Sequence, residues 1–570
     1  MGSSFAKLFS LILLNRLKNY IEAKQLISPN QIGFMKGCRT SDHIFLLQTI
    51  IEKIVKKNKD KLYTAFIDFK KAYDTIDRDT LFERLKALGI NGIFYQNIVS
   101  MYEKTKYLIK VKNGYLDPIT SNLGLRQGCP LSPMLFNLYI EDIKDIFEDS
   151  CNPITIQDEK ISHFLYADDL VLISNTAEGL QNSLDKLSHY AALKHLTINI
   201  KKSKTMIFNP TGKYIKGEFN INKKIIEPVK SFCYLGFEVK PSGTVKHAMN
   251  NLYDKANKAL RPLLCAIARF NIPTKISIKL FHSLITPIIL YNVENWATMT
   301  DKELMTFTEP DLFDNSNKHK ADIIHRKALK YILGLSKSCP NMAIHGDTGE
   351  VPLSIKGYKL MLDFWNRLNT LPESNLAKKA LKENVRIRTN WIQTIEKLLR
   401  TFNLTDITDN IQTFKLASQT NTKKYYKSVW ETKIKSDGLT RLKFYQVIKN
   451  EFTPAQYIDL PNFTMRKIIA KVRCSNHCLE IEKGRHRNIP REERWCNMCT
   501  DKVTEDEMHF LTKCKSYDLL KIKYQITTDN AADIINTANQ ENLAKYLISA
   551  FNLRQETLND TTNKKHSVVT

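Results

Sequence analysis

Hydrophobic and polar residues in the first 240 positions switch between helical and strand spacing. Residues 41–57 place apolar side chains at helical spacing with lysines at the far end, which predicts an amphipathic helix. The apolar run 63–67 predicts a buried strand, and residues 164–173 predict a hairpin with acids at its tip. A helical pattern over 180–195 and a strand pattern over 196–208 follow. The alternation indicates a mixed α+β domain.

Helical spacing dominates after about residue 245. Long helices are predicted over 250–270 and 275–296. The polar residues 301–320 indicate a domain boundary. Residues 321–465 are largely helical by pattern and contain no motif that we recognise.

Composition changes this picture mainly through charge. A chain of 570 residues with 43% hydrophobic residues is a folded protein of about three or four domains. Its 85 Lys and Arg against 59 Asp and Glu leave a net charge of +26, which favours a polyanionic partner such as nucleic acid or an acidic membrane surface. The most apolar stretch, Phe5–Leu14, is too short to span a membrane, and no cleavage signal follows it. We therefore expect a helix there and no membrane segment.

Eleven cysteines fall into two groups. Six are scattered singly, which favours a reducing compartment over a disulfide framework. The other five lie between residues 474 and 514. Three of these and one histidine have the spacing of a structural zinc site, Cys496-x2-Cys499-x9-His509-x4-Cys514. Thiolates are soft ligands that select zinc, and unrelated free thiols are the alternative.

Two segments concentrate basic residues. Residues 464–494 hold nine Lys or Arg and four Glu, which predicts a surface that grips RNA or DNA, with a solvated charged face as the alternative. Residues 194–230 hold nine lysines and two glutamates. We expect the second segment to contact the backbone of a nucleic-acid duplex without reading its sequence.

Three aspartates occupy unusual positions. Asp68 ends the predicted strand, and Asp168 and Asp169 interrupt the predicted hairpin. At about 4 Å and an effective dielectric near 20, each like-charge pair costs on the order of 4 kcal/mol. If the acids converge, a multivalent cation such as Mg²⁺ must neutralise them. Taken alone, an ordinary turn and a helix cap explain the same residues equally well.

Five motifs, in matching order and spacing, give these acids a context. They are 66–74 (FIDFKKAYD), 126–133 (RQGCPLSP), 166–169 (YADD), 199–205 (NIKKSKT) and 234–236 (YLG). They resemble the catalytic and primer-grip motifs of reverse transcriptases from non-LTR (LINE-type) retrotransposons, and residues 30–34 (NQIGF) also match. The resemblance covers residues 5–240 closely and the remainder loosely.

The resemblance implies roles for the acidic motifs. Asp68, Asp168 and Asp169 would hold two Mg²⁺ ions, with the Phe69 carbonyl as a further ligand. Tyr73 would abut the sugar 2′-position and exclude ribonucleotides, and aromatic packing is the alternative.

The other motifs would serve the nucleotide. Gln127 and Gly128 would lie against the incoming nucleotide and the template base. Lys202 would protonate the leaving pyrophosphate, with a solvated basic face as the alternative. The basic strand that holds the triphosphate in this family lies before Met1, so we expect N-terminally truncated fingers, with Arg39 as a remaining nucleotide-binding candidate.

The implied architecture is an α+β right-hand polymerase. The predicted regions are partial fingers (1–62), a palm and fingers core (63–240), a helical thumb (241–300), a helical linker region (301–465), a basic zinc-knuckle region (466–520) and a C-terminal tail (521–570). The implied activity is RNA-directed DNA polymerase, which adds deoxynucleotides to a DNA 3′ end on an RNA template. RNA template, DNA primer or target, and deoxynucleoside triphosphates would be the partners, in the nucleus or the cytoplasm.

Three alternatives stay open at this point. A truncated remnant would bind nucleic acid without polymerising. A group II intron-type maturase would need a splicing domain after the thumb, and we find none in the sequence. A zinc-dependent nucleic-acid-binding module would use the first half of the chain only as a scaffold.

Overall fold

The computed structural model describes residues 4–566 apart from 104–105, 108, 113, 148, 298–318, 406–409 and 538. Its strands are β1 (Leu62–Ile67), β2 (Lys106–Tyr107), β3 (Lys110–Val111), β4 (Gly114–Tyr115), β5 (Ile119–Thr120), β6 (Ile154–Ile156), β7 (Glu159–Ile161), β8 (His163–Tyr166), β9 (Asp169–Ser174), β10 (Lys204–Phe208), β11 (Phe219–Ile221), β12 (Lys224–Pro228), β13 (Phe232–Tyr234) and β14 (Phe237–Val239). The helices up to residue 300 are α1 (Ser4–Lys24), α2 (Thr40–Ile51), α3 (Arg78–Ala87), α4 (Gly92–Glu103), α5 (Ser132–Ile140), α6 (Ala177–Leu193), α7 (Lys246–Arg269), α8 (Thr274–Leu284), α9 (Thr286–Ile289) and α10 (Val293–Trp296). The later helices are α11 (Lys320–Ile332), α12 (Asn341–Thr348), α13 (Leu353–Asn369), α14 (Leu376–Arg386), α15 (Asn390–Thr401), α16 (Ile411–Ile434), α17 (Lys443–Ile448), α18 (Phe463–Arg473), α19 (Glu480–His486), α20 (Asp518–Lys523), α21 (Ala531–Ile535) and α22 (Gln540–His566).

A six-stranded sheet holds the predicted acidic motifs, in the order β11-β12-β10-β1-β9-β8. Strand β1 pairs antiparallel with β9, and Ile67 lies opposite Leu170. Strands β8 and β9 form the predicted hairpin, with Tyr166 opposite Asp169. The end of β1 therefore meets the start of β9. Asp68, which follows β1, and Asp169, which begins β9, lie at the same edge of the sheet, meaning the edge formed by strand ends and not an outer strand.

Helix α6 covers one face of this sheet. Its side chains Leu180, Leu184 and Leu187 are fully buried at helical spacing. The Thr176 hydroxyl accepts a hydrogen bond from the Gly179 N–H at 3.0 Å and thereby caps the first turn. The apolar stripe and the cap explain why the prediction of a helix over 180–195 is confirmed.

Helix α2 differs from the predicted amphipathic helix. Almost all its side chains are buried, because α14 from much later in the chain packs against it. The Asn384 amide donates to the Thr49 hydroxyl at 2.6 Å, and Phe45 lies 4.7 Å from Trp391 between ring centroids. Helical structure continues over Glu52–Lys57, as predicted, with Lys57 exposed. Over Thr40–Ile51 the helix is enclosed on most faces, so the amphipathic interpretation was wrong there.

Two predicted elements are shorter than their patterns suggested. The strand pattern over 196–208 becomes a strand only over β10, because residues 199–203 form a turn beside Asp68. The helix over 275–296 breaks into α8, α9 and α10. Pro287 lies in the first turn of α9, where it cannot continue the preceding helix, and Asn292 has a left-handed φ of 52°.

The chain forms two compact units. Unit 1 comprises residues 1–248 and 365–393 and contains the six-stranded sheet. Unit 2 comprises residues 249–364 and 394–570 and is helical where the structure describes it, as the sequence predicts for 321–465. The predicted boundary at 301–320 lies almost wholly outside the described residues. Among the described helices, none is both long and apolar enough to cross a bilayer.

A buried ion pair joins two helices of unit 2. The Arg473 guanidinium donates to both carboxylate oxygens of Asp347, at 2.9 and 3.0 Å. Both side chains are almost inaccessible to solvent. The Tyr445 hydroxyl also donates to Asp347, at 2.9 Å. Each charge therefore depends on its partner, since neither reaches water.

Loss of this pair is expected to destabilise unit 2. Arg473→Met leaves the Asp347 carboxylate buried and unpaired, which costs about 3–5 kcal/mol. Chemical denaturation of the full chain measures the loss. The control is Lys275→Met, which removes an ion pair with Asp459 whose two side chains are 60% and 54% exposed, and it should change stability by less than about 1 kcal/mol. Equal effects of the two substitutions would contradict the role assigned to the buried pair.

Candidate active site and metal centre

The three predicted acids lie at one edge of the sheet. Asp68 follows β1, and Asp168 lies in the two-residue turn between β8 and β9 with Asp169 directly after it. The Asp68 charge acts on both other carboxylates. Strand pairing thus brings Asp68 near Asp168 and Asp169, which lie a hundred residues later in the sequence.

Three side chains of the turn before β10 contact Asp68. The Asn199 amide donates to the Asp68 carboxylate at 2.9 Å. The backbone N–H of Asp68 donates to the Ser203 hydroxyl at 3.1 Å. The ammonium of Lys202 lies 3.8 Å from the same carboxylate. Asn199 and Ser203 belong to the NIKKSKT motif, but local spacing gave them no individual role.

The surroundings of Asp168 and Asp169 disfavour the ionised forms of these two side chains. Burial, and after it the charge of Asp68, raises the pKa of Asp168, while Lys202 opposes this shift. Burial and the charges of Asp168 and Asp68 raise the pKa of Asp169 to about 6. A cation between these groups would relieve the repulsion and restore ordinary acidity.

The donor set fits Mg²⁺ better than a closed metal cage. Among the described residues, the groups of ligands whose atoms all lie within 4.8 Å of one another do not include the three aspartates. Mg²⁺ usually binds one or two carboxylates and completes its shell with water and substrate phosphates. Hard oxygen donors on one open edge suit that mode of binding.

A cavity of about 380 Å³ is lined by Asp168 and Asp169 but not by Asp68. Its walls come from the second and third motifs and from the segment before α2. The lining residues used below are Phe34, Tyr73, Arg126, Gln127, Gly128 and Asp168. Residues of the segments 30–34, 66–74, 126–133 and 166–169 therefore meet at one open space, and residues of 199–205 and 234–236 do not line it.

The predicted nucleotide-binding residues divide between this cavity and other places. Tyr73 stacks on Phe136 at 4.7 Å between ring centroids, so packing and cavity lining are both realised. The Gln127 amide donates to Asp74 at 2.8 Å. Gly128 has a φ of 81°, and no heavy atom lies within 4 Å of the position that a Cβ would take. A glycine is needed here for its backbone conformation.

The remaining candidates lie elsewhere. The side chain of Phe69 is buried in the core. Arg39 is exposed at the start of α2 and is not among the cavity-lining residues. Arg126 lines the cavity instead, and its place at the start of the RQGCPLSP motif was the signal that could have identified it.

The predicted cysteine and histidine ligands form a separate cluster in unit 2. Their potential ligand atoms all lie within 4.8 Å of one another. The sulfurs of Cys496 and Cys514 are 4.0 Å apart, and the Cys499 sulfur is 3.4 Å from Nε2 of His509. Tetrahedral zinc with Zn–S near 2.3 Å separates its sulfur ligands by about 3.8 Å. The four residues therefore fit a tetrahedral metal ion.

Another group of potential ligands in unit 2 already faces a cation. His282, His325 and Glu350 have ligand atoms within 4.8 Å of one another. The Lys356 ammonium lies 3.1 Å from Nε2 of His282 and 3.5 Å from the Glu350 carboxylate. A metal ion would meet this positive charge, so we interpret the group as an internal ion-pair network.

The basic segment 464–494 is less available than its composition predicts. Arg466 and Arg473 are buried, and Arg485 pairs with Glu482 at 2.8 Å. Arg494 donates to backbone carbonyls. Part of the positive charge in this segment therefore supports the fold of unit 2, while Arg487 remains 65% exposed, and a gripping surface here stays a prediction.

Comparison with known proteins agrees with the site. Residues 3–239 match the family described as reverse transcriptase (RNA-dependent DNA polymerase). These residues form a reverse transcriptase domain.

The matching relatives are retrotransposon proteins. The chain is 28% identical over 256 residues to the retrovirus-related Pol polyprotein from type-1 retrotransposable element R2 of Nasonia vitripennis. This alignment covers 44% of this chain and 24% of that protein. It is 26% identical to the R2 protein of Popillia japonica, over 67% of this chain and 51% of that protein. A probable RNA-directed DNA polymerase from transposon BS of Drosophila melanogaster is 23% identical over 60% of this chain and 37% of that protein. The predicted resemblance to non-LTR retrotransposon reverse transcriptases is confirmed.

The chain spans between a quarter and about half of the length of the first two relatives. Among solved structures, apo telomerase from Candida Tropicalis aligns with a TM-score of 0.33 and 12% identity, over 74% of this chain and 60% of that chain.

Removal of one repelling charge is expected to stabilise the metal-free protein. Ionised Asp169 carries a penalty in the folded state, because its pKa of about 6 exceeds the ordinary value of 3.8. Asp169→Asn should therefore raise the free energy of unfolding by about 1 kcal/mol at pH 8 without divalent ions, less than the full shift because solvent screens the exposed carboxylate.

The gain should shrink as the pH falls below about 6 toward 4, since the folded wild type then takes up the proton and loses the penalty. Denaturation in EDTA at several pH values measures it. Asp145→Asn, at an exposed acid of unit 1, is the control. A pH-independent gain, or an equal gain in the control, would contradict the proposed repulsion.

Proposed function

We propose that unit 1 catalyses RNA-directed DNA synthesis and adds deoxynucleotides to a DNA 3′ end on an RNA template. The observation that carries this proposal is the convergence of Asp68, Asp168 and Asp169 on one sheet edge, next to a cavity of about 380 Å³. The reverse transcriptase domain over residues 3–239 supports it.

The aspartates would hold two Mg²⁺ ions, which would supply the positive charge that activates the primer 3′-hydroxyl and stabilises the leaving pyrophosphate. The carbonyl of Phe69 is a further candidate ligand. Asn199 and Ser203 orient Asp68 through the hydrogen bonds given above.

Other side chains would act on the nucleotide. Tyr73 would lie against the sugar and exclude a 2′-hydroxyl, because its ring is fixed by stacking on Phe136. Gln127 and Gly128 would contact the base pair that forms. Lys202, whose side chain is 71% exposed, is free to reach the pyrophosphate and give it a proton. Arg39 has no support from the cavity, and Arg126 is the better candidate for the triphosphate.

The chain would follow the right-hand plan of a polymerase. Fingers would occupy residues 1–62, the palm 63–240 and the thumb 241–300. A linker region (301–465), a zinc-knuckle region (466–520) and a tail (521–570) would complete it.

Exposed lysines on unit 1 would contact the nucleic-acid backbone. Those in the second basic segment are Lys201, Lys202, Lys213, Lys216, Lys223, Lys224 and Lys230. Their contribution should be sequence-independent and should weaken with salt. The relatives include an RNA-directed DNA polymerase of a transposon, so an RNA template and a DNA primer are the partners that we propose.

Loss of one catalytic carboxylate is expected to abolish synthesis. Asp168→Asn keeps the side-chain shape but removes a charge that holds Mg²⁺, so incorporation on poly(rA)/oligo(dT) should fall by at least about 100-fold. Radiolabelled primer extension measures it, and Asp145→Asn serves as the control with wild-type activity.

Two results would contradict the proposal. The first is incorporation that persists in Asp168→Asn. The second is a folded wild type that binds the duplex without extending it, which would favour the alternative function, a remnant that only binds nucleic acid.

The cysteine cluster is expected to hold one structural zinc ion. Cys499→Ser removes a ligand and should abolish binding of one Zn²⁺ per chain. If free zinc exceeds the dissociation constant about 1,000-fold, unit 2 should lose about 4 kcal/mol of stability. Metal analysis and denaturation measure the two effects. Cys478→Ser, at an exposed thiol outside the cluster, is the control, and an equal loss of zinc in that variant would contradict the ligand assignment.

A further inference from the structure

The side chain of Gln31 is buried against the turn that carries Asp168. Its Oε1 accepts hydrogen bonds from the backbone N–H groups of Gly33 at 2.8 Å and Ala167 at 2.9 Å. Its Nε2 donates to the Ala167 carbonyl at 3.2 Å. Gln31 is 2% exposed. One amide therefore pairs both backbone polar groups of a single turn residue.

Ala167 needs such a restraint. Its φ is 57°, in the left-handed region that residues with a Cβ adopt at a cost. Asp168 follows directly in the chain, so the direction of its carboxylate depends on the dihedral angles of Ala167. Relaxation of Ala167 to a negative φ would turn Asp168 away from Asp68.

The backbone around Gln31 is itself fixed to the hairpin. The Leu165 N–H donates to the Asn30 carbonyl at 2.8 Å, and the Ile32 N–H donates to the Leu165 carbonyl at 3.1 Å. The Asn137 amide donates to the Gly33 carbonyl at 2.7 Å. The backbone on both sides of Gln31 is therefore hydrogen-bonded to Leu165 of β8.

Gly33 allows this close approach. A Cβ at residue 33 would lie 2.2 Å from the Ala167 nitrogen and 2.9 Å from its Cα. These atoms are backbone, so the turn itself would have to move. The NQIGF segment therefore contacts the acidic turn through the amide of Gln31. The absence of a side chain at Gly33 lets the two backbones approach closely.

We propose that Gln31 is a positioning residue that holds the Ala167 turn in its left-handed conformation and thereby aims the Asp168 carboxylate at the metal site. This inference rests on the proposed polymerase function. Gln31 is not among the residues that line the cavity, and it would act through the backbone of Ala167.

Unit 1 contains a matched control for this role. The Gln181 amide donates to the Asn220 carbonyl at 2.9 Å, and Oε1 of Gln181 accepts from the Asn220 N–H at 3.1 Å. This is the same reciprocal pairing of one side-chain amide with one backbone residue. It joins α6 to β11, the strand at the far edge of the sheet from β8.

The experiment compares Gln31→Met with Gln181→Met in the full chain. Each substitution keeps side-chain length and removes one such pairing. For both variants we would measure the thermal midpoint, kcat, the KM for deoxynucleotide and the Mg²⁺ concentration that gives the half-maximal rate. In Gln31→Met we expect kcat to fall 10–100-fold and the Mg²⁺ requirement to rise, whereas Gln181→Met should keep wild-type kinetics. The thermal midpoint should fall more in Gln31→Met, because Gln31 is 2% exposed and its loss leaves buried backbone groups unpaired, whereas Gln181 is only partly buried.

A second readout does not depend on polymerisation. Fe²⁺ in place of Mg²⁺, with ascorbate and peroxide, generates hydroxyl radicals that cut the backbone near the bound ion. Wild type should be cut near Asp68 and near residues 166–169, and Gln31→Met should lose the cut in 166–169. If Gln31→Met does not fold, Gln31→Asn, which withdraws the amide by one methylene, takes its place and should show the same pattern more weakly.

The outcomes separate this inference from the proposed function. An active wild type and a Gln31 variant with unchanged kcat and Mg²⁺ requirement would overturn the positioning role alone, as would equal kinetic losses in the Gln31 and Gln181 variants. A wild type that is cut at the acids but extends no primer would overturn the polymerase proposal alone, and the loss of the cut in the Gln31 variant would still support positioning. A wild type that is not cut would overturn both.

Discussion

The grouping of three carboxylates at one end of the sheet is the constraint on which the candidate site depends. The pairing of β1 with β9 places Asp68 and Asp169 at neighbouring strand ends, where burial, and after it the charges of Asp168 and Asp68, raises the pKa of Asp169. The rest of unit 1 must therefore be stable enough to carry the cost. The fully buried core of α5 and α6 against the sheet supplies that stability.

Polar side chains from distant segments then fix the acids in place. Asn199 and Ser203 hold Asp68 from the turn before β10. Gln31 contacts the Ala167 turn from the other side of the hairpin. Asn199 and Ser203 form hydrogen bonds with the charged residue Asp68. Gln31 forms them with Ala167, whose backbone is in the left-handed region. The acids thus lie among neutral hydrogen-bonding groups, with the Lys202 ammonium 3.8 Å from Asp68.

The sequence predicted the acids but not this shell. Strand-forming runs that end in aspartate are visible in local spacing, and the resemblance of five motifs gave them a chemical role. The contact of Gln31 with Ala167 joins residues that are 136 positions apart, and no periodicity encodes such a contact. For the same reason Arg126 was passed over in favour of Arg39.

The fold shows the same division. The buried strand β1 and the capped helix α6 follow directly from apolar spacing and turn residues. Helix α2 was misinterpreted as amphipathic because its covering partner, α14, lies more than 300 residues later. In the basic segment 464–494, composition does not reveal that Arg466 and Arg473 are buried. In each case the missing information was a tertiary contact.

The discontinuity of unit 1 has a consequence for how this protein is made. The match to the reverse transcriptase family ends at residue 239, yet α14, within residues 365–393 of unit 1, packs against α2. During translation, α2 emerges from the ribosome long before its cover has been synthesised. The nascent chain therefore exposes apolar side chains of α2 while residues 249–364 are added. A chaperone that shields these side chains would protect the protein during that interval.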